Sequence, residues 1–94
     1  MSRSTVIMYY LYILRNIHNQ LYIGQTAGLK KRLNDHRTSH GAKFIKDYGS
    51  FKLIYTEEFE TRVQAMRREK QLKGWTRAKK EALIAGNLEL LKKL

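Results

Sequence analysis

The stretch Tyr10–Gly24, YLYILRNIHNQLYIG, constrains this chain more than any other. Met8–Leu14 is β-branched, aromatic or apolar at successive positions, so neither face of that segment favours water; the pattern is that of a strand covered on both sides. Leu21–Gly24 has the character of a second strand, and Asn16–Asn19 supplies turn-forming residues between the two. An antiparallel hairpin is the expected result. Centred on Ile17, it sets Tyr12 opposite Tyr22 with both phenols on one face. A slip of one residue separates them, because side chains alternate along a strand.

After the hairpin, Thr26 or Gly28 is placed to start a helix that runs to about Arg37, with Leu29 and Leu33 inward and Ser39 to Gly41 as its stop. Ala42–Tyr48, between two glycines, reads as a single helical turn or an ordered loop. Phe51–Phe59 is a third strand, with Phe51, Leu53 and Tyr55 expected on one face. Thr61 with Gln64 three residues on forms a capping box for a helix ending at Lys73. Gly74 stops that helix, Trp75 packs at the corner, and Thr76 caps a further helix through Ala85. Gly86 and Asn87 then separate a last short helix, Leu88–Leu94. The expected class is α+β: a small three-stranded antiparallel sheet flanked by helices, with residues 1–94 forming one domain. Arg3 followed by Val6–Leu14 imitates a secretory signal. Its three tyrosines and the polar Arg15–Gln20 segment exclude that reading, and the run is too short to span a bilayer.

Charge narrows the function. Nineteen Lys plus Arg against eight Asp plus Glu leave a net +11 on 94 residues, a field suited to polyanions, since each phosphate neutralised releases counterions. Nucleic acid is the default partner; no long basic amphipathic helix with an aromatic face argues for a membrane. Cysteine is absent, which excludes disulfides and thiolate metal sites and is compatible with a cytoplasmic setting. No phosphate-binding Walker loop, dinucleotide fingerprint, nucleophile elbow or zinc-ligand cluster occurs.

Glu69 is the most informative single residue. Ala65, Glu69 and Leu72 fall at i, i+4 and i+7, with Met66 beside them, so a carboxylate sits on the apolar face of its helix. Such a group costs several kcal/mol to bury, about that order, unless it is paired or holds a cation. A structural salt bridge and a hard divalent ion both satisfy it; Mg²⁺ characteristically uses one or two carboxylates and keeps waters for a phosphate substrate. Arg32 and His36, four apart, either clamp a phosphate or belong to an ordinary basic helix surface. Tyr12 and Tyr22 are equally explicable as strand residues. Gly24 marks a place where something approaches the backbone closely. Lys30, Lys31, Arg37, Lys43, Lys46 and Lys73 are candidate phosphate-positioning charges, as are Arg68, Arg77 and Lys79.

The order of these signals, a strand with YLYIL, a strand with LYIGQT, then LKKRLNDH, then a helix with AMRREKQLK, resembles the GIY-YIG nuclease superfamily. It is most similar to the small single-domain bacterial branch related to the amino-terminal nuclease domain of the excision-repair endonuclease. The similarity runs from about Met8 to Ile84. The resemblance implies that Tyr12, Tyr22, Arg32, His36 and Glu69 are catalytic, that Glu69 binds Mg²⁺ or Mn²⁺, and that Gly24 lies against the nucleic acid. It also implies a DNA substrate, with RNA not excluded, and leaves room for a targeting protein. Three departures stand out. The first motif is Tyr10-Leu11-Tyr12 without the name-giving glycine, Gln25 occupies a position where some relatives carry lysine, and Asn87 is the one asparagine beyond the glutamate helix. The implied activity is metal-dependent DNA hydrolysis, in repair or another pathway. The alternatives are a non-catalytic nucleic-acid-binding module or a basic RNA- or ribosome-associated protein.

Overall fold

Leu11, Tyr12, Ile13 and Leu14 are all buried, four consecutive residues of the strand β1 (Tyr9–Asn16). Consecutive strand residues point to opposite faces, so β1 is covered on both, as its sequence anticipated. The structure, a computed structural model, describes residues 7–29 and 51–94. β1 is the middle of a three-stranded antiparallel sheet of order β2-β1-β3, with β2 (Leu21–Thr26) on one side and β3 (Phe51–Phe59) on the other. β1 and β2 each extend two residues past the ends expected from sequence.

The hairpin register differs from expectation. Tyr12 pairs with Gly24 and Leu14 with Tyr22, so the hairpin is centred on His18 and Tyr12 is not opposite Tyr22. The shift is two residues along the partner strand, which preserves parity, and both phenols still share one face. The cause is the turn. The Asn19 N–H donates to the Asn16 carbonyl at 3.0 Å and the Asn16 N–H to the Gln20 carbonyl at 3.1 Å, closing a three-residue loop whose last residue, Asn19, has φ 64°. That left-handed position suits asparagine far better than the His18 which the other register would put there. The buried Asn16 side chain reinforces the loop: its Oδ1 accepts from the N–H groups of His18 and Gln20, both at 2.9 Å.

Two clusters form on the two faces of the sheet. On one, Leu11 and Ile13 pack against Leu72 and Leu83, with Trp75, Tyr55 and Phe59 around them. On the other, Tyr12, Leu14 and Phe51 pack with Tyr22, Leu29 and Leu53. Each fully buried aliphatic side chain contributes about 1.5–3 kcal/mol. Phe51, Leu53 and Tyr55 do not share a face as expected: a bulge lies where Ile13 pairs with Tyr55 and Leu14 with Leu53, and the extra residue, Ile54, reverses the alternation. Phe51 and Leu53 stay with Tyr12, and Tyr55 passes to the opposite side.

The helices follow their sequence signals closely. α1 (Arg62–Lys73) opens on the Thr61–Gln64 capping box and closes at Gly74. α2 (Arg77–Ala85) is capped by Thr76 and ended by Gly86 at φ 73°, where glycine is favoured. α3 (Leu88–Lys93) is capped by the Asn87 side chain, which gives that asparagine a structural occupation. Of the helix expected to start at Thr26 or Gly28, the described residues reach only Leu29. The Thr26 hydroxyl accepts from the Gly28 N–H at 3.1 Å, and the backbone turns helical at Leu29, whose side chain is inward as anticipated. The rest of that expected helix, to about Arg37, and the Ala42–Tyr48 segment lie outside the described residues. Among the described residues no helix is long and apolar enough to cross a membrane.

Candidate active site

The hairpin builds one wall. Gly24 lies inside β2, not at its end, directly across from Tyr12. A Cβ placed on Gly24 would stand 2.5 Å from the Tyr12 hydroxyl and 2.6 Å from its ring carbon Cζ, far inside van der Waals contact. The close approach inferred from the glycine is therefore made by the Tyr12 ring lying across the β2 backbone. Tyr12 is buried while Tyr22, two residues before Gly24 on the same face, is half-buried. The Tyr22 hydroxyl also lies 3.4 Å from Gln20 Oε1, a long donor contact.

Glu69 comes from α1, which packs through Leu72 onto the sheet face opposite the tyrosines. Its side chain is 22% exposed, and its carboxylate meets Lys73 Nζ at 2.7 Å. The expected apolar stripe is narrower than Ala65, Met66, Glu69 and Leu72: Ala65 and Leu72 are fully buried, Met66 is 50% exposed, and Glu69 lies on the flank between. The direction of that flank is set by Arg62. Seven residues, or two helical turns, earlier on the same stripe, its Nη1 donates to Gln25 Oε1 on β2 at 3.3 Å. Glu69 thus belongs to the side of α1 that faces β2, an edge strand of the sheet.

Several cations named from sequence have internal partners. Arg68 pairs with Glu57 through both Nε (2.9 Å) and Nη2 (3.0 Å), and Tyr55 donates its hydroxyl to the same carboxylate at 2.5 Å. Burial, then that bond to Glu57, push the Tyr55 phenol up to about 12. Arg15 grips Glu81 with two bonds of 2.9 and 2.8 Å, and Arg77 adds a third at 2.7 Å while donating to the Asn19 carbonyl at 2.6 Å. The Arg15 bonds chiefly, then those of Arg77, hold the Glu81 carboxyl down at about 2 against the opposing effect of burial. Arg68 and Lys79 also stand over the Trp75 ring, at 5.3 and 5.0 Å. Arg68 and Arg77 are therefore structural pairs, and Lys73 is engaged by Glu69. A surface pocket of about 290 Å³ is lined by Arg15, Asn16, Ile17, Lys52 and Ile54; it holds none of the candidate catalytic residues, and its arginine is committed to Glu81.

Of the expected site residues, Tyr12, Tyr22 and Gly24 are brought together, and Glu69 flanks the strand that carries two of them. Arg32, His36, Lys30, Lys31, Arg37, Lys43 and Lys46 lie outside the described residues. Arg62 escaped the sequence reading, although its two-turn spacing from Glu69 was visible there. Its contacts with Gln25 and with the Tyr9 ring, 5.0 Å away, depend on how α1 crosses the sheet.

A divalent ion finds a hard oxygen donor here. Among the described residues no group of three or more His, Cys, Asp or Glu side chains converges, so a protein cage is not formed by them. One largely covered carboxylate suits an ion held jointly by protein and phosphate substrate, and Lys73 competes with such an ion for it.

Comparison with known proteins gives a concordant picture. The GIY-YIG catalytic domain profile matches residues 8–82. A UPF0213 protein of Natronomonas pharaonis is 36% identical over 77 residues, covering 82% of this chain and 91% of its own length. One from Limosilactobacillus reuteri is 40% identical over 87 residues, covering 89% and 91%. The solution NMR structure of a UPF0213 protein from Bacillus halodurans is similar at a TM-score of 0.56 and 35% identity, over 83% of each chain.

Proposed function

Because the chain belongs to the GIY-YIG catalytic domain family, we propose that it is a divalent-metal-dependent endonuclease hydrolysing DNA phosphodiesters, with residues 1–94 acting as one nuclease unit. The observation that carries this reading is the grouping of Tyr12, Tyr22 and Gly24 on one sheet face, beside the edge strand that the Glu69 flank of α1 also borders.

In this mechanism Glu69 would hold Mg²⁺ or Mn²⁺, which when bound would supply Lewis-acid polarisation of the scissile phosphate and of the leaving 3′ oxygen. Tyr22, the more exposed phenol, orients the attacking water, and Tyr12 fixes the shape of the wall by lying across Gly24. The water oxygen bonds to phosphorus as the bond to the 3′ oxygen breaks, leaving a 5′-phosphate and a 3′-hydroxyl. A phenol with an ordinary pKa of about 10 is a weak base at neutral pH, so Tyr22 positions the water and the proton leaves through His36 or solvent. Arg32 gives two donors to the phosphoryl oxygens as charge develops. Lys73 balances the Glu69 charge at 2.7 Å and would be at hand for a phosphate oxygen if a divalent ion were held by that carboxylate.

The test is incubation of supercoiled plasmid and of branched or flapped DNA with the protein, with Mg²⁺ or Mn²⁺ and with chelator. Metal-dependent cutting is expected, and Glu69→Gln should abolish it while leaving DNA binding intact. Equal cutting by Glu69→Gln overturns the assignment. The Glu69–Lys73 pair also fits a purely structural carboxylate, and binding without cutting on every substrate would establish the non-catalytic module instead.

A further inference from the structure

We propose that Arg62 is a phosphate-binding residue flanking the candidate site, oriented for that task by Gln25 and Tyr9; the proposal rests on the nuclease reading for the identity of its ligand, a nucleic-acid phosphate. Among the described residues Arg15, Arg68, Arg77 and Lys73 each lie within 4.0 Å of a carboxylate oxygen, and Arg62 has no such partner. Its guanidinium is nevertheless held. One face lies 5.0 Å from the Tyr9 ring centroid, and Nη1 donates at 3.3 Å to a neutral acceptor, Gln25 Oε1. A guanidinium has five N–H donors in a planar fork, so an exposed arginine fixed by a ring and one amide oxygen keeps donors for an incoming anion with its charge uncancelled. A fork fixed in this way suits bidentate binding of phosphate oxygens.

Its location fits the same substrate. Gln25 directly follows Gly24 on β2, and Arg62 shares the helical stripe of Glu69 at two turns' remove. The axial separation of about 10 Å equals about three nucleotide steps of one strand in a duplex at 3.4 Å each. Arg62 would therefore grip a phosphate a few nucleotides from the one at Glu69. Gln25, uncharged itself, serves as the rest that brings a cation to the rim of β2.

The experiment measures binding of a short DNA duplex by fluorescence anisotropy, in chelator and across a salt series, for wild type, Arg62→Gln, the double variant Arg62→Gln/Gln25→Lys, and Lys93→Gln as a charge-matched control on α3. Arg62→Gln is expected to weaken binding several-fold and to reduce the slope of log K against log salt by about 0.9, the value for one phosphate contact. Placing lysine at residue 25 in that background should restore most of both, and Lys93→Gln should leave the slope unchanged. Thermal denaturation of each variant, with midpoints matching wild type, separates lost contact from lost fold. An unchanged slope in Arg62→Gln, or an equal loss in Lys93→Gln, overturns the proposal. Because binding is read in chelator, a protein that binds through Arg62 but never cuts defeats the nuclease reading alone, whereas one that does not bind DNA defeats both.

Discussion

Gly24 shows how one residue type encodes a contact that its neighbours in sequence do not reveal. A glycine inside a strand signals close approach, and the approaching group is the ring of Tyr12, directly opposite on β1. Gly24→Ala should destabilise the protein by about 1–3 kcal/mol, the usual cost of overpacking. Tyr12→Phe should not relieve it, because Cζ as well as the hydroxyl blocks the new methyl. In a Tyr12→Ala background the same glycine substitution should cost little, giving a coupling of about 1 kcal/mol or more in a double-mutant cycle followed by urea unfolding. Equal costs in the two backgrounds would separate the glycine from the ring. Glu69 is the converse case: helical spacing marked it as an unusual carboxylate, and its flank position with Lys73 explains how the fold tolerates it.

Among elements, the junction of α2 with the hairpin turn is where tertiary contacts did most to refine the sequence pattern. Capping residues delimited α2 correctly, yet nothing local paired Arg15 with Glu81 across 66 residues of chain. That carboxylate, also bound by Arg77, ties α2 to the turn that sets the Tyr12–Tyr22 register. Its pKa of about 2 lies below the ordinary carboxylate value of 4.5, so the folded state binds the proton less readily than the unfolded chain. The resulting stability is fully present above about pH 4.5 and is lost as pH falls toward 2. Glu81→Gln should lower the thermal midpoint at neutral pH and flatten its decline over that acid window. Partial exposure of the pair trims the size of the effect but not its sign. A parallel acid decline in wild type and variant would assign it to other carboxylates.

For the whole molecule, the net +11 is redistributed by folding. Arg15, Arg68, Arg77 and Lys73 are drawn into pairs, while Arg62, Arg67 and Lys70 remain exposed on α1. Binding to DNA should still be dominated by counterion release: contact with six to ten phosphates would reduce affinity by about 10³–10⁵ between 50 and 200 mM salt. An anisotropy titration over that range measures it, and a flat response would remove the electrostatic basis of nucleic-acid binding altogether.

Local sequence determined the elements. Apolar alternation, the Thr61–Gln64 box, the Thr76 and Asn87 caps and the Gly74 and Gly86 stops act over a few residues, and all lie where their spacing put them. The central position of β1 was legible as well, because burial on two faces requires an uninterrupted apolar run. Tertiary structure decided the rest. The hairpin register turned on the left-handed backbone at Asn19, and the division of β3 between two faces turned on the bulge at Ile54. Among the described residues, the cations available to a ligand were settled by which carboxylates folding brought beside them. In the opening hairpin the residue types and their shared face were written locally, but Tyr12 came to lie over Gly24 instead of opposite Tyr22, because turn geometry sets register and alternation alone does not.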